Sequence, residues 1–129
     1  KIWESAIAVW KKNILFGVGK FPVFVYKPAA GLKIQYLTHA HNVYLQILVA
    51  NGLFGLIAFL NLFYTFIRVL LKHVKQNNTA LCLLLIIIAF SVEGFFEFFY
   101  GDSEVRYLLI YFSGYTFGNL IISDQSTKN

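Results

Sequence analysis

Residues 52–71 run for 20 positions with a single charge, Arg68, close to the end. About 20 consecutive apolar residues are what an α-helix needs to cross roughly 30 Å of hydrocarbon. Two further stretches of this kind follow, residues 79–100 and residues 105–122. Backbone polar groups in lipid must be satisfied within the segment that carries them, so helices are the form such stretches take. The expected fold class is an all-α membrane protein. An outer-face loop with an amphipathic helix occupies residues 1–42. A three-span region occupies 43–129, with spans at 52–71, 79–100 and 105–122.

Composition supports this. Hydrophobic residues make up 58% of the 129 residues and charged residues 13%, against roughly 25% charged in a soluble chain. Mean hydropathy is +0.64. A soluble domain of this length cannot bury so much apolar surface, and disorder or a nucleic-acid-binding tail is excluded on the same grounds. The single cysteine, Cys82, leaves no disulfide or thiolate cluster within the chain. The chain begins at Lys1 without a signal-peptide pattern and contains no Met. It reads as the C-terminal portion of a larger membrane protein.

The net charge of +5 lies entirely in residues 1–42, where six lysines (Lys1, Lys11, Lys12, Lys20, Lys27 and Lys33) face Glu4 alone. Within this segment Ile2, Trp3, Ala6, Ile7 and Trp10 share one side at helical spacing, which predicts a short amphipathic helix at the membrane surface. Asn13 and Gly17-Val18-Gly19 end it. Pro22, Pro28 and Gly31 predict irregular loop with at most a short strand. A basic, aromatic-rich segment beside a membrane can bind anionic headgroups or an anionic substrate, or it can be a solvated surface.

Asn42 is placed to cap a helix starting at Val43, and Asn51-Gly52 predicts a kink. Arg68, Lys72 and Lys75 follow the first span in a short loop, whereas Asp102 and Glu104 mark the next loop. The distribution of basic residues puts the first loop inside and the second outside. Residues 1–42 are then extracytoplasmic, against the positive-inside tendency.

His41 stands where the outer loop enters the first membrane helix. The positive end of the helix dipole disfavours imidazolium there, and a neutral imidazole suits a general base acting on a hydroxyl. It can also be a histidine that only bonds a loop. His39 and His41 alternate as strand-borne metal ligands would, but two ligands without a third make a weak site. Glu93 and Glu97 lie four apart, on one face of a continuous helix. Intramembrane carboxylates usually face a partner or a water-filled cavity, and Arg106 is the nearest basic candidate. A structural Glu–Arg pair and a substrate cavity are both open. Gly114 and Gly118 form a small-xxx-small pair suited to helix packing. The Gly17-x-Gly19 lacks the strand-then-helix context of a phosphate loop.

The ordered run Trp3, Gly17-Val18-Gly19, His41-Asn42-Val43-Tyr44-Leu45-Gln46 and Gly52-Leu53-Phe54-Gly55 resembles the O-antigen ligase/Wzy polymerase family over roughly residues 1–72. The resemblance implies part of a polytopic GT-C-like glycosyltransferase of the bacterial cytoplasmic membrane. Such enzymes move glycan from undecaprenyl diphosphate at the outer face to a lipid, glycan or protein acceptor. It implies that His41 is the functional histidine, and that neither a metal nor another cofactor nor a nucleotide sugar is needed. Partners are then the lipid-linked donor, the acceptor, membrane lipids and the N-terminal spans of the parent protein, with no nucleic acid. Candidate substrate-binding residues are Lys20, Lys27, Lys33, Asn42, Glu93 and Arg106. The family's Arg would precede Lys1, so the fragment alone is expected to be inactive. Ile14 stands where the family often has Pro, and Asn51 where it often has an acid. Two other classes fit the hydropathy: a transporter or channel segment with Glu93 and Glu97 along an ion path, and a noncatalytic assembly subunit joined at Gly114 and Gly118. Neither requires the ordered pattern that ends at His41-Asn42.

Overall fold

The computed structural model describes residues 2–19, 24–26, 35–37 and 39–126, with the backbone alone for 24–26, 35–37 and 123–126. Lys1, Lys20, Lys27, Lys33, Pro22, Pro28 and Gly31 lie outside the described residues. The described elements are α1 (Ile2–Trp10), β1 (Phe24–Tyr26), β2 (Gln35–Leu37), α2 (Val43–His73), α3 (Asn78–Glu93), a 3-10 turn (Phe99–Gly101) and α4 (Ser103–Ser126). The strands pair antiparallel, with Val25 opposite Tyr36, so the loop holds a small two-stranded ribbon where at most one strand was expected. The chain divides into two compact units, residues 1–62 with 92–98, and residues 63–91 with 99–129.

In the first unit, α1 forms where the apolar spacing predicts it. Ala6 is fully buried and packs in a cluster with Ala40 and Val49, which Val9, Trp10 and Leu45 flank. The buried side is rotated from the expected one, because Ile7 is exposed. Trp3 still reaches inward, its indole N–H donating to the Ala40 carbonyl at 3.1 Å.

The kink in α2 is at Gly52, with φ 69° and ψ −166°. A helix broken there loses the bonds from Leu53 and Phe54 N–H to the carbonyls of Val49 and Ala50. Residues 14–19 replace all of them. Leu53 N–H donates to the Ile14 carbonyl (3.0 Å) and Phe54 N–H to that of Leu15 (3.3 Å). The freed carbonyls of Val49 and Ala50 accept from Val18 N–H (2.8 Å) and Gly19 N–H (3.0 Å). The two backbones are so close that a Cβ at Gly17 would lie 2.5 Å from the Ala50 carbonyl, and one at Gly52 would collide with the Leu15 carbonyl. The Gly-x-Gly segment is thus a splint across a helix kink.

In the second unit, Leu70, Ala80, Leu83, Leu84, Ile87 and Leu120 form the buried cluster, with Phe63, Phe66, Ile67, Val74 and Phe117 against it. Asn77 starts α3, its Oδ1 accepting from Thr79 N–H (2.9 Å) and Ala80 N–H (3.2 Å). Around this cluster the outer positions stay apolar: Leu81, Leu85 and Ile88 on α3, and Leu108, Ile110 and Ile121 on α4, are exposed.

Among the described residues one helix, α2, is long and apolar enough to cross a membrane, and only 22% of its most apolar stretch is buried within the chain. That share is far too low for the core helix of a soluble protein. The expected span 79–100 is not one helix. It ends at Glu93, after 16 residues, because the next carbonyls are taken by another partner. Gly94 accepts from Val43 N–H (2.7 Å) and Phe95 from the Asn42 amide (3.0 Å). The third helix is longer than expected, 24 residues from Ser103 to Ser126.

Candidate functional site

Asn42 caps α2 as its sequence position predicts. Its Oδ1 accepts from Leu45 N–H at 2.8 Å, while its Nδ2 donates to Phe95. Both ends of this buried amide are used in holding two chain segments together. One N–H and one lone pair of the amide go to these structural bonds, and its second N–H and second lone pair are not used by them. Gln46, the last residue of the His41–Gln46 motif and not among the expected site residues, lies one turn further along α2 and is also buried. Its Oε1 accepts from Ala40 N–H at 2.9 Å. Ala40 is thereby clamped on both sides, its N–H by Gln46 and its carbonyl by Trp3. Tyr44 packs its ring on Phe95 (4.6 Å between centroids). Each member of the His-Asn-x-Tyr-x-Gln run thus ties the 39–41 loop or the 94–95 turn to the start of α2.

Among the described residues His41 is the one residue other than glycine with a positive φ, 48°, in the left-handed region. A side chain other than Gly resists that region by about 1–2 kcal/mol, and such strain is concentrated at functional sites. The side chain that results faces Glu97: His41 Nδ1 is 3.1 Å from Oε1 and 3.2 Å from Oε2. Glu97 Oε1 also accepts from Phe98 N–H at 2.8 Å. The Phe98 N–H and the His41 bond hold the Glu97 carboxyl below its ordinary pKa, against a smaller opposing effect of burial. An ionised carboxylate can only accept, so Nδ1 is the donor in this contact, and in the neutral tautomer that donates from Nδ1 the acceptor nitrogen is Nε2.

His39 lies beside this pair, its ring 4.1 Å from that of His41 and stacked at 6.2 Å on Phe98. Its Nδ1 is shielded from solvent and has no hydrogen-bond partner among the described residues. Phe98 also lines a cleft of about 330 Å³ with Gln46, Ile47, Ala50 and Asn51, within the size range of small-ligand sites.

Of the expected site residues, His41 and Asn42 are neighbours in this frame. Lys20, Lys27 and Lys33 lie outside the described residues. Glu93 is exposed at the end of α3, and Glu97 has left the helix for the turn after it, so the two do not share a helix face. Arg106, in the second unit, donates to the Tyr100 carbonyl at 3.1 Å and lies over the Tyr107 ring. For Glu97 the sequence left a Glu–Arg pair and a substrate cavity open, and within its own unit the acid is bonded to His41. Nothing local in the sequence joins residues 41 and 97, and only the conspicuous acid was a signal.

The ordered motifs converge on one unit: the Gly-x-Gly splint, the capped helix start, the clamped loop and the kink. Residues 1–60 match the O-antigen ligase family model, Wzy_C. The matched stretch holds all of the motif residues quoted above and ends beyond the kink in α2. The likeness to this family covers just under half of the chain, and the helix that begins inside it is the long, poorly buried apolar one. Comparison with curated proteins and with solved structures gave no match.

Proposed function

We propose that this chain is the C-terminal part of a bacterial membrane glycosyltransferase that acts on undecaprenyl-diphosphate-linked glycan at the outer face of the cytoplasmic membrane. The observation that carries the proposal is the His41–Glu97 contact, 3.1 Å long, at the mouth of the Wzy_C-matched helix. With Nδ1 bonded to an ionised carboxylate, His41 Nε2 accepts the proton of an acceptor hydroxyl. The acceptor oxygen then forms a bond to the anomeric carbon, and the bond from that carbon to the diphosphate oxygen breaks. The undecaprenyl diphosphate leaves with the electron pair. Glu97 stabilises the imidazolium formed in this step, the role an acid plays behind a catalytic histidine elsewhere. No metal and no nucleotide sugar enters the reaction.

The basic loop is assigned to the donor. Lys20, Lys27 and Lys33 would neutralise the diphosphate as charge develops on it, and an Arg from the upstream chain would join them. Glu93 and Arg106, which belong to different units, are each proposed as substrate-binding residues. In this reading α2, α3 and α4 are the three spans, and residues 1–42 face the outside. At 1.5 Å per residue the 16 residues of α3 reach only about 24 Å, which the 94–102 segment and local thinning of the bilayer make up. The ion-path alternative needs two acids on one helix face, and Glu97 is not on the helix. The test is transfer by the full-length protein carrying His41→Asn, which keeps a residue tolerant of positive φ but removes the base.

A further inference from the structure

We propose that His39, His41 and Glu97 form a binding site for one divalent transition-metal ion of the zinc class, and that the ion, when bound, blocks transfer by occupying the proton-accepting imidazole. The binding half stands on the geometry of the three side chains. The blocking half rests on the function proposed above.

One ligand atom from each residue can be chosen so that all three lie within 4.8 Å of one another. A tetrahedral zinc site with bonds of about 2.0–2.1 Å needs ligand atoms about 3.4 Å apart. Two imidazoles and one carboxylate form a donor set that favours zinc-like ions over calcium or magnesium, which prefer oxygen throughout. Three protein ligands leave a fourth position open.

Three features of the frame favour an ion. His39 Nδ1 is solvent-shielded and has no hydrogen-bond partner among the described residues, so this histidine has bonding capacity that they do not satisfy. The backbone between the two histidines is fixed, because Ala40 is fully buried and bonded at both N–H and carbonyl. Such support preorganises ligands that belong to a loop. The carboxylate is held in position by Phe98 N–H, which donates to its Oε1 at 2.8 Å. The sequence supplied only the two histidines, and the third ligand arrives from 56 residues further along the chain.

An ion on His41 competes directly with the acceptor's proton for the imidazole. It also draws Glu97 away from the task of stabilising the imidazolium. The expected consequence is reversible inhibition by zinc.

The experiment uses full-length protein, purified without a polyhistidine tag and held in nanodiscs, with cobalt as the spectroscopic probe. One cobalt per chain is expected, with visible absorption of a low-coordinate ion and displacement by zinc. His39→Ala, His39→Gln and Glu97→Gln should each weaken cobalt binding by at least about tenfold, the lower end of what supporting residues alone contribute. Zinc should abolish transfer by the unaltered protein, and a chelator should restore it. Lack of stoichiometric cobalt binding, or equal binding by protein carrying either His39 substitution, overturns the site and leaves the proton-accepting role of His41 intact. Stoichiometric binding with transfer indifferent to zinc keeps the site and overturns the blocking claim.

Discussion

His41 and Glu97 are separated by 56 residues and by 3.1 Å. The contact depends on two breaks in regular structure. His41 takes a left-handed backbone just before α2 begins, and the chain leaves α3 at Glu93, four residues before the acid. If α3 had continued, Glu97 would have stood one turn above Glu93 on the same helix.

The first prediction follows from the direction of that bond. Glu97→Gln removes the charge that stabilises the imidazolium and no longer enforces a proton on Nδ1. Transfer should fall by about 10²–10⁴-fold, the scale of losing assisted general-base catalysis. The protein level should hold, because Glu97 is exposed. Single-turnover rates with saturating donor would report the fall in the chemical step, and an unchanged rate would remove Glu97 from the mechanism.

Asn42 should behave differently. Asn42→Ala removes the cap of α2, a loss of about 1 kcal/mol, and leaves the Phe95 carbonyl without its donor. Protein level and activity should decline together, as measured by immunoblot and by transfer per unit of protein. A normal level with activity lost would return Asn42 to a substrate-binding role.

The kink and its splint predict a contrast among glycines. Gly17→Ala and Gly52→Ala each place a methyl group against backbone at a positive-φ position, and should lower stability by at least about 1–2 kcal/mol. At Gly114 and Gly118 a Cβ meets nothing within 4 Å, so alanine there should be tolerated or slightly stabilising, since it favours a helix by about 0.8–1 kcal/mol. Thermal unfolding of the four variants in detergent checks the ordering.

The features legible in the sequence are those set by neighbours along the chain. Asn42 before an apolar run reads as a cap, Asn51-Gly52 reads as a weak point, and the spacing of Trp3, Ala6 and Trp10 reads as a helix. The end of α3 was hidden because residues 95–100 are apolar apart from Glu97, so hydropathy continues where the helix does not. That break is decided by bonds from Val43 and Asn42 to Gly94 and Phe95. Gly17-x-Gly19 was equally opaque, since its purpose appears only when the carbonyls of Val49 and Ala50 are seen to lack helical donors. Glu97 is visible in the sequence as an acid in an apolar run, but its bond to a histidine 56 residues away is not, because no local pattern joins the two positions.

Membrane topology is tested by single cysteines at positions 41, 73 and 103 in a background carrying Cys82→Ser, probed with an impermeant thiol reagent on intact cells. Positions 41 and 103 should label and position 73 should not. Labelling at 73 would invert the orientation inferred from Arg68, Lys72 and Lys75, and would place the His41 site on the wrong side for an outer-face donor.

The central claim is that His41 accepts the proton of the acceptor hydroxyl. The most direct measurement is the surface glycan profile of cells whose only copy of the full-length protein carries His41→Asn. Asparagine tolerates the left-handed backbone at this position and leaves the Asn42 cap intact, so the protein should insert at a normal level. A loss of about 10²–10⁴-fold in transfer should appear as missing polymer or missing capped lipid. Glycan of normal amount and length from these cells would contradict the account.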